Sequence, residues 1–383
     1  MERTLPPLAL YVHIPWCVRK CPYCDFNSHQ VREELDQVGY IDALLTDLEL
    51  DLRRTAGRTL HSIFIGGGTP SLFAPAEIRR LLAGIESRMD CSESLEITME
   101  ANPGTLEAAS FTGFREAGVN RLSIGVQSFN ASALQALGRI HGPDEAERAV
   151  QQARRAGFER VNLDLMFGLP EQTLDTAKAD LQTALELDPG HISYYQLTLE
   201  PNTSFYYAPP KLPDEELAWQ IQQQGQVDLA AGGYVQYEVS AYARAGQQCR
   251  HNLNYWTFGD YLGIGAGAHG KLTDRSGRVV RLSKWRHPVE YLQKVKEGKA
   301  VQAHRFLSND DLVLEFLMNR LRLNQAFATT EFATATGLSA ASLQPGLKQA
   351  IEQGLLENRA GWVATTPQGR LFLNDLLALF VHG

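Results

Sequence analysis

Six short apolar runs alternate with helical patterns along the first two-thirds of the chain, and this alternation constrains the fold more than any other feature. The runs are Leu8–Ile14, Ser62–Ile65, Leu95–Met99, Arg121–Gly125, Val161–Met166 and Ile192–Leu199. Between the first two, apolar residues recur at steps of three and four, as on one face of a helix. Strands that alternate with helices of this length indicate a parallel sheet. Because the six units carry no clear dinucleotide-binding pattern, we expect an α/β fold, an incomplete (β/α)6 barrel.

Residues of unusual chemistry follow the carboxyl ends of these strands. They are three cysteines after the first strand, Gly66–Pro70 after the second, Glu100–Pro103 after the third, Gln127–Phe129 after the fourth, and Asp164 in the fifth. In a parallel barrel the carboxyl ends of the strands open on one face, where active sites lie. We therefore predict a functional site there, in preference to unrelated turns and helix caps.

Composition excludes several classes of protein. The chain has 383 residues and a formal net charge of −8, which argues against a general nucleic-acid-binding protein. Apolar runs such as Leu376–Val381 fall far short of the ~20 residues that a membrane span needs, and no secretory signal is evident. We expect a cytoplasmic protein, in which the isolated Cys91 and Cys249 are buried small hydrophobic residues.

The three clustered cysteines are Cys17, Cys21 and Cys24, in a C-x3-C-x2-C spacing. Thiolates this close can ligate different iron corners of one iron–sulfur cubane and leave the fourth iron open to another ligand. Zinc is the alternative, but it needs a fourth protein ligand, for which His13 and His29 are nearest. The spacing favours the iron–sulfur cluster and leaves zinc possible.

These motifs resemble those of the radical S-adenosylmethionine superfamily, and more closely those of the oxygen-independent coproporphyrinogen oxidase group. The likeness rests on residues 11–17, 65–70, 125–129 and 164–170, and it extends over essentially the whole chain. The resemblance implies a radical S-adenosylmethionine partial barrel with a [4Fe–4S] cluster on Cys17, Cys21 and Cys24. S-adenosylmethionine would then bind the open iron through its amino and carboxylate groups.

The resemblance also assigns residues to the cofactor. Those expected around S-adenosylmethionine are Tyr11, Gly67, Gly68, Thr69 and Glu100. Glycine would let the backbone approach the methionine part closely, and Glu100 could pair with its cationic end. Three more residues match the surroundings of a second S-adenosylmethionine in the oxidases, namely Gln127, Arg139 and Asp164.

Two departures separate the chain from the oxidases. Those enzymes continue the cysteine motif with a fourth cysteine, where this chain has Phe26, and they carry a longer segment before it. The sequence from His251 to Trp256, His-Asn-x-x-Tyr-Trp, is instead similar to one found in heme chaperones of the same fold. The resemblance therefore implies a heme chaperone, with heme-acceptor proteins as partners, respiratory and membrane-associated ones included. The alternative is an oxidase that decarboxylates coproporphyrinogen III to protoporphyrinogen IX by radical chemistry.

Histidines are the expected heme ligands. His251 is the first candidate for the axial position, its second ring nitrogen oriented by Asn252 or Asn254, and His269 is the second candidate. Tyr255 and Trp256 would offer flat apolar surface to the porphyrin. A nucleic-acid-modifying relative of tRNA methylthiolases, the third reading, lacks support because the chain is acidic.

We expect three parts along the chain. Residues 1–235 would form the partial barrel, residues 236–305 a connecting region, and residues 306–383 a small, mostly helical C-terminal domain that resembles a winged helix. Within the connecting region, Lys271–Arg305 holds ten Lys and Arg against three Asp and Glu. This basic island could meet heme propionates or an anionic membrane surface, although a solvated face is the simpler interpretation. The candidate recognition helix carries few cations, so we expect no DNA binding.

Overall fold

The computed structural model describes residues 5–104 and 110–381, and in them one large sheet of twelve strands dominates the fold. Six parallel strands lie side by side in chain order: β1 Leu8–Ile14, β2 Leu60–Gly67, β3 Cys91–Ala101, β4 Arg121–Gln127, β5 Arg160–Phe167 and β6 Gly190–Gln196. Their side chains are buried on both faces for most of their length, which is why the sequence showed near-continuous apolar runs. The predicted α/β fold class is confirmed.

Helices connect the parallel strands and cover the sheet. They are α1 Gln37–Asp51, α2 Pro75–Glu86, α3 Phe111–Ala117, α4 Ala131–Ala136, α5 Pro143–Arg155, α6 Leu174–Leu187, the single turn α7 Ser204–Tyr207, and α8 Glu215–Ala231. Helix α2 buries Ile78, Leu81, Leu82 and Ile85, as its periodicity predicts. The helical connections leave the carboxyl ends of the strands together at one face.

The segment that we expected to connect two domains contributes six further strands of the same sheet. They are β7 Val235–Glu238, β8 Ala241–Ala243, β9 Asp260–Ile264, β10 His269–Thr273, β11 Val279–Lys284 and β12 Val301–Phe306. Strands β7 and β8 extend the sheet beyond β6, and β9 to β12 extend it beyond β1. Strand β9 pairs in parallel with β1, and Leu8 lies opposite Asp260. Helices α9 Arg250–Trp256 and α10 Pro288–Lys296 lie between these strands.

Two of the ten cations in the basic island are neutralised inside the protein. Lys271 is buried and bonds Asp260 at 2.8 Å, and Lys284 is buried between Asp47 and Asp51. An isolated buried ammonium would be costly, so these carboxylates are what allow the two lysines into the interior. The interpretation of the whole island as a solvated face is therefore wrong for these residues.

The C-terminal part forms a second, smaller core, to which Phe258 and Val279 of the preceding segment also contribute. Its elements are α11 Asn309–Arg320, β13 Phe327–Ala328, α12 Thr329–Thr336, a 3-10 turn Ala340–Leu343, α13 Gly346–Glu352, β14 Leu356–Arg359, β15 Trp362–Thr365, α14 Pro367–Leu371 and α15 Leu373–Ala378. This order fits the predicted winged helix. On α13, Lys348 lies 3.8 Å from Glu352, so its cation is paired. Within residues 5–104 and 110–381, no helix is long and apolar enough to cross a membrane.

Candidate functional site

The three clustered cysteines lie on residues 15–31, the cysteine loop, directly after β1. The loop is closed by the short strand pair Trp16–Cys17 and His29–Gln30. The His29 N–H donates to the Pro15 carbonyl at 2.7 Å, and the Val31 N–H donates to the Cys17 carbonyl at 2.9 Å. Backbone bonds thus fix both ends of the loop at the carboxyl edge of the sheet.

The thiols of Cys17, Cys21 and Cys24 are free and half-buried. Burial raises the pKa of Cys17 and of Cys24, and this cost of forming thiolates would be offset by metal coordination. The Arg139 guanidinium donates to the Cys21 sulfur at 3.6 Å and places a cation beside the loop. Three free soft sulfur donors fit an iron–sulfur cluster. In the described residues, however, no group of three or more Cys, His, Asp or Glu side chains stands ready as a metal site.

One of the two histidines considered as a fourth zinc ligand, His13, is already hydrogen-bonded through both ring nitrogens. His13 Nδ1 bonds the Tyr11 hydroxyl at 2.9 Å, and its Nε2 bonds the Asn27 carbonyl at 2.9 Å. The Asn27 amide in turn donates to the carbonyls of Ala266 and Arg286, at 2.9 Å each. His13 therefore holds the cysteine loop on the sheet, whereas the buried Nε2 of His29 has no hydrogen-bond partner within the described residues, so the zinc alternative stays open.

The glycine run after β2 lies against the cysteine loop. The Gly68 N–H donates to the Ile14 carbonyl at 2.8 Å, and the Thr69 N–H donates to the Trp16 carbonyl at 2.7 Å. A Cβ on Gly68 would lie 2.5 Å from the Trp16 carbonyl oxygen, and one on Gly67 would lie 2.4 Å from the His13 ring. Gly67 also has φ near +111°, which side chains rarely allow. Only glycine permits this close approach.

Glu100 adds a buried carboxyl group beside the glycine run Gly66–Gly68, which we call the glycine floor. Its Oε2 accepts a hydrogen bond from the Gly67 N–H at 2.9 Å. Burial raises the pKa of Glu100 to about 7, opposed by the Gly67 bond and assisted by the nearby Asp164 carboxylate. A carboxyl group poised near neutrality is well suited to take up a cationic ligand, whose charge would favour the ionised form.

One chain of hydrogen bonds joins the glycine run to the cysteine loop. The Asn102 amide donates to Thr69 Oγ1 at 2.9 Å, and the Arg139 guanidinium donates to Asn102 Oδ1 at 2.8 Å. Arg139 then reaches Cys21 as described above. Thr69 and Arg139 are among the residues expected at the cofactor, whereas Asn102 was given no role of its own and was named only as part of Glu100–Pro103, after the third strand.

The remaining predicted residues lie farther round the barrel. Gln127 has a positive φ of 70° and accepts from the Tyr195 hydroxyl at 2.9 Å. Asp164 is held by the Ser123 hydroxyl at 3.1 Å and the Asn162 amide at 2.8 Å. Both are positioned by other side chains of the barrel interior.

A cavity of about 710 Å³ opens over this floor. Its walls include Tyr11, Gly67, Glu100, Phe26, Tyr255 and His269. Phe26, the residue in place of a fourth cysteine, is 58% exposed. The cavity lies in the size range of ligand sites, ~300–1,000 Å³, and has carboxyl, hydroxyl and imidazole groups in its walls.

His251 is not on that cavity. It is fully buried on α9, with Nδ1 bonded to the Ser62 hydroxyl at 3.0 Å and Nε2 bonded to the Tyr255 hydroxyl at 2.8 Å. Burial, together with the Arg121 charge, lowers the pKa of His251 to about 3, so the ring is neutral. The expected asparagine partners are wrong: Asn254 donates to the Asp260 carbonyl instead, at 2.9 Å.

The remaining side chains named from the sequence fall in different settings. His269 is exposed on the cavity wall, and Trp256 is half-buried beneath the Arg322 guanidinium, 4.4 Å from its ring centre. Cys249 is fully buried, as predicted, and its sulfur lies 3.6 Å from Glu96. Cys91 is only half-buried, so its predicted burial is wrong in degree.

Comparison with known proteins decides the family. Residues 11–184 match the Radical SAM superfamily, and residues 307–372 match the HemN C-terminal domain. The heme chaperone HemW of Escherichia coli is 52% identical, over 98% of this chain and 99% of its own length. This chain belongs to the HemW family. HemW of Haemophilus influenzae is 53% identical over 98% of both chains.

A solved structure extends the comparison. The radical SAM enzyme coproporphyrinogen III oxidase (HemN) of Escherichia coli is similar with a TM-score of 0.84 and 26% identity, over 98% of this chain and 90% of that one. This HemW-family chain thus shares nearly its whole fold with an oxidase.

Proposed function

We propose that this protein binds heme and passes it to acceptor proteins, and that it carries a [4Fe–4S] cluster to which S-adenosylmethionine binds reversibly. The observation that carries the proposal is the full-length similarity to the heme chaperone HemW, at 52% identity. The three free thiols beside a glycine floor support the cluster and its ligand. Free thiols also fit a reducing compartment, so we place the protein in the cytoplasm.

The cluster would be held by Cys17, Cys21 and Cys24. When bound, it would supply an open iron coordination position for an amino-acid group and a means of passing single electrons. The chain itself contributes the surroundings: Arg139 stabilises negative charge on the Cys21 sulfur, and Phe26 covers one side of the cavity. Asn27 fixes the loop to the sheet.

S-adenosylmethionine would lie in the cavity beside Gly67. The absence of Cβ atoms on Gly67 and Gly68 lets His13 and the Trp16 backbone pack directly against the glycine run, which brings the cysteine loop next to this cavity. Glu100 would pair with the cationic amino or sulfonium group of S-adenosylmethionine, and Tyr11 would form part of the wall. Gln127 and Asp164, with Arg139, would serve a second molecule if one binds. No step of bond cleavage is required for a chaperone.

Two histidines, His251 and His269, are candidates for the heme ligand. His251 stays our sequence-based prediction for the axial position, and a ligand role requires it to give up the bond to Ser62 or to Tyr255. His269 can reach a ligand in the cavity without such a change, because its ring is exposed there. A test of heme ligation therefore needs variants of both histidines.

The test is a heme titration of the anaerobically reconstituted protein, followed by visible absorption. We expect a Soret band that saturates with added heme and decays when an apo-acceptor protein is supplied. Absence of saturable heme binding would contradict the proposal.

Coproporphyrinogen oxidation is the second candidate, because the oxidase fold matches with a TM-score of 0.84. An anaerobic assay with coproporphyrinogen III, S-adenosylmethionine and a reductant separates the two functions. We expect no protoporphyrinogen, since Phe26 stands where the oxidases carry a further cysteine. Turnover would establish the oxidase instead.

A further inference from the structure

A second cavity lies away from the cofactor site, between the end of α1 and the antiparallel edge of the large sheet. We call it the edge groove; it measures about 460 Å³ and is lined by Arg53, Arg54, Ala56, Leu272, Thr273, Asp274, Arg275, Val280, His304 and Phe306. Most of these residues belong to the basic island, for which the sequence alone did not distinguish heme propionates, an anionic membrane surface and solvent. We propose that the edge groove is a docking site for heme, an inference that rests on the proposed heme binding.

The floor of the edge groove is apolar and flat. Leu272 pairs with Val280, and Val280 pairs with Phe306, so these three side chains form a row across β10, β11 and β12. Phe306 is 48% exposed although it is a large apolar side chain. The Arg278 guanidinium stacks on its ring, 4.6 Å from the centre. Leu272 and Val280 are only 2% and 8% exposed, so Phe306 supplies most of the apolar surface that a planar ligand could reach.

Cations flank this floor. Three arginines and one aspartate line the groove. The Asp274 carboxylate is already occupied by Ser276 and Arg278, and Arg54 pairs with Asp51 at 3.0 Å. Arg53 and Arg275 are exposed and form no ion pair within the described residues. Two free guanidinium groups match the two propionate carboxylates of one heme, because arginine binds carboxylates in a bidentate fashion.

His304 adds an imidazole to the apolar and cationic groups of the edge groove. His304 lies two residues before Phe306 on the same face of β12, and its ring is exposed. His304 pairs with Leu282 in the sheet and its ring meets the Phe306 ring edge-on, with 6.5 Å between centres; within the described residues its ring nitrogens show no hydrogen bond. Its nitrogens are therefore available, whereas those of His251 are both bonded. A simple anion needs the arginines alone; heme also uses the apolar row and the imidazole, which is a common iron ligand.

The edge groove and the cofactor cavity share a strand. Gln302 lines the cofactor cavity and His304 lines the edge groove, but the pairing of β11 with β12 shifts register at Gln302. The two cavities lie on opposite faces of the sheet: Ser283, paired with His269, lines the cofactor cavity, whereas Val280, paired with Leu272, lines the edge groove. Heme bound in the edge groove would thus lie at the rim of the sheet, open to an acceptor, and the sheet would separate it from the cofactor site.

The test is a titration of the reconstituted full-length protein with ferric heme and, separately, with metal-free protoporphyrin IX. We expect His304→Ala to weaken heme binding about tenfold, ~1.4 kcal/mol, and to shift the Soret band, while protoporphyrin IX affinity stays unchanged. The double variant Arg53→Ala/Arg275→Ala is expected to weaken both ligands about tenfold, because both carry propionates. Matched controls are His61→Ala and Arg148→Ala, both exposed elsewhere on the barrel.

The outcomes separate the two proposals. If the wild-type protein binds heme and all groove variants have the same heme affinity as the controls, the proposed heme site in the edge groove is refuted. The proposed chaperone function then still stands. If the wild-type protein binds no heme, the proposed function itself is overturned. If inorganic phosphate or anionic phospholipid vesicles displace protoporphyrin IX from the groove, the site is a general anion site and not a heme dock.

Discussion

The cysteine loop and helix α9 carry the two motifs that the sequence brought forward most strongly, and their side chains are in opposite states. The loop is fixed by its backbone, whereas its three thiols are free and half-buried. In α9 the His251 ring is buried and bonded through both nitrogens. The difference teaches that a motif marks importance, but only unused bonding capacity marks a place where a ligand can enter without rearrangement.

Loss of the thiols should produce the largest effect. We expect Cys17→Ser/Cys21→Ser/Cys24→Ser to lose essentially all cluster iron and sulfide while the fold is kept, because the loop is fixed by backbone bonds. Iron and sulfide analysis, with far-UV circular dichroism, measures both. Cys91→Ser is the control, since Cys91 is half-buried and far along the chain from the loop. Undiminished iron in the triple variant would contradict the assignment.

Replacement of His251, whose ring is hydrogen-bonded through both nitrogens, should mainly lower the stability of the protein. His251→Ala leaves the Ser62 and Tyr255 hydroxyls without their ring partner and opens a cavity, so the free energy of unfolding should fall by about 2–4 kcal/mol. Urea unfolding measures it, and His269→Ala, at an exposed position, should cost less than about 0.5 kcal/mol. If His251→Ala and His269→Ala had equal free energies of unfolding, the hydrogen bonds of the His251 ring would not stabilise the fold, and this prediction would be wrong.

A methyl group in the glycine floor should reduce cofactor affinity. Gly68→Ala places a Cβ against the Trp16 carbonyl oxygen, which belongs to the backbone and cannot swing aside. Because Trp16 directly precedes Cys17, we expect the displaced segment to lower both the cluster iron content and the S-adenosylmethionine affinity, the affinity about tenfold or more, ~1.4 kcal/mol. Equilibrium dialysis of the reconstituted protein tests this. Gly142→Ala is the control, because nothing lies within 4 Å of its Cβ; an equal loss there would refute the steric argument.

The smallest effect should be a pH dependence of S-adenosylmethionine binding. Burial raises the pKa of Glu100 to about 7, so the carboxylate that would pair with the cationic ligand forms as the pH rises through that value. We expect affinity to increase about fourfold from about pH 6.5 to about pH 8. Glu100→Gln should flatten the profile, and an unchanged profile in that variant would assign the titration to another group.

The same titration has a stability consequence of opposite direction. A carboxyl group whose pKa is raised in the folded state binds more protons there than in the unfolded chain, so its contribution to stability falls as the pH rises from the unfolded pKa to about 7. Above that value the penalty of the buried charge is constant. Glu100→Gln should remove this part of the pH dependence in urea unfolding.

The sequence predicted the parallel half of the sheet well and the antiparallel half poorly. Strand β1 was predicted at Leu8–Ile14, where the structure has it, because strands buried on both faces give continuous apolar runs. Strand β12 has no buried residue, so no such run exists there. The hydrogen bond from His251 to Ser62 joins residues 189 positions apart, and no local pattern reports such a contact.

The pairing of β1 with β9 has a consequence for the order of events during synthesis. Leu8 leaves the ribosome before its partner Asp260, which lies 252 positions later (260 − 8), and at about 5–20 residues per second the delay is more than ten seconds. During that time one edge of β1 has no strand to pair with, and the carbonyls of Ala266 and Arg286 that receive Asn27 do not yet exist. The thiols are made early, but their loop acquires its final anchor late. Iron delivered to the nascent chain would therefore meet a loop not yet held, so the cluster is best assembled after translation has passed residue 286.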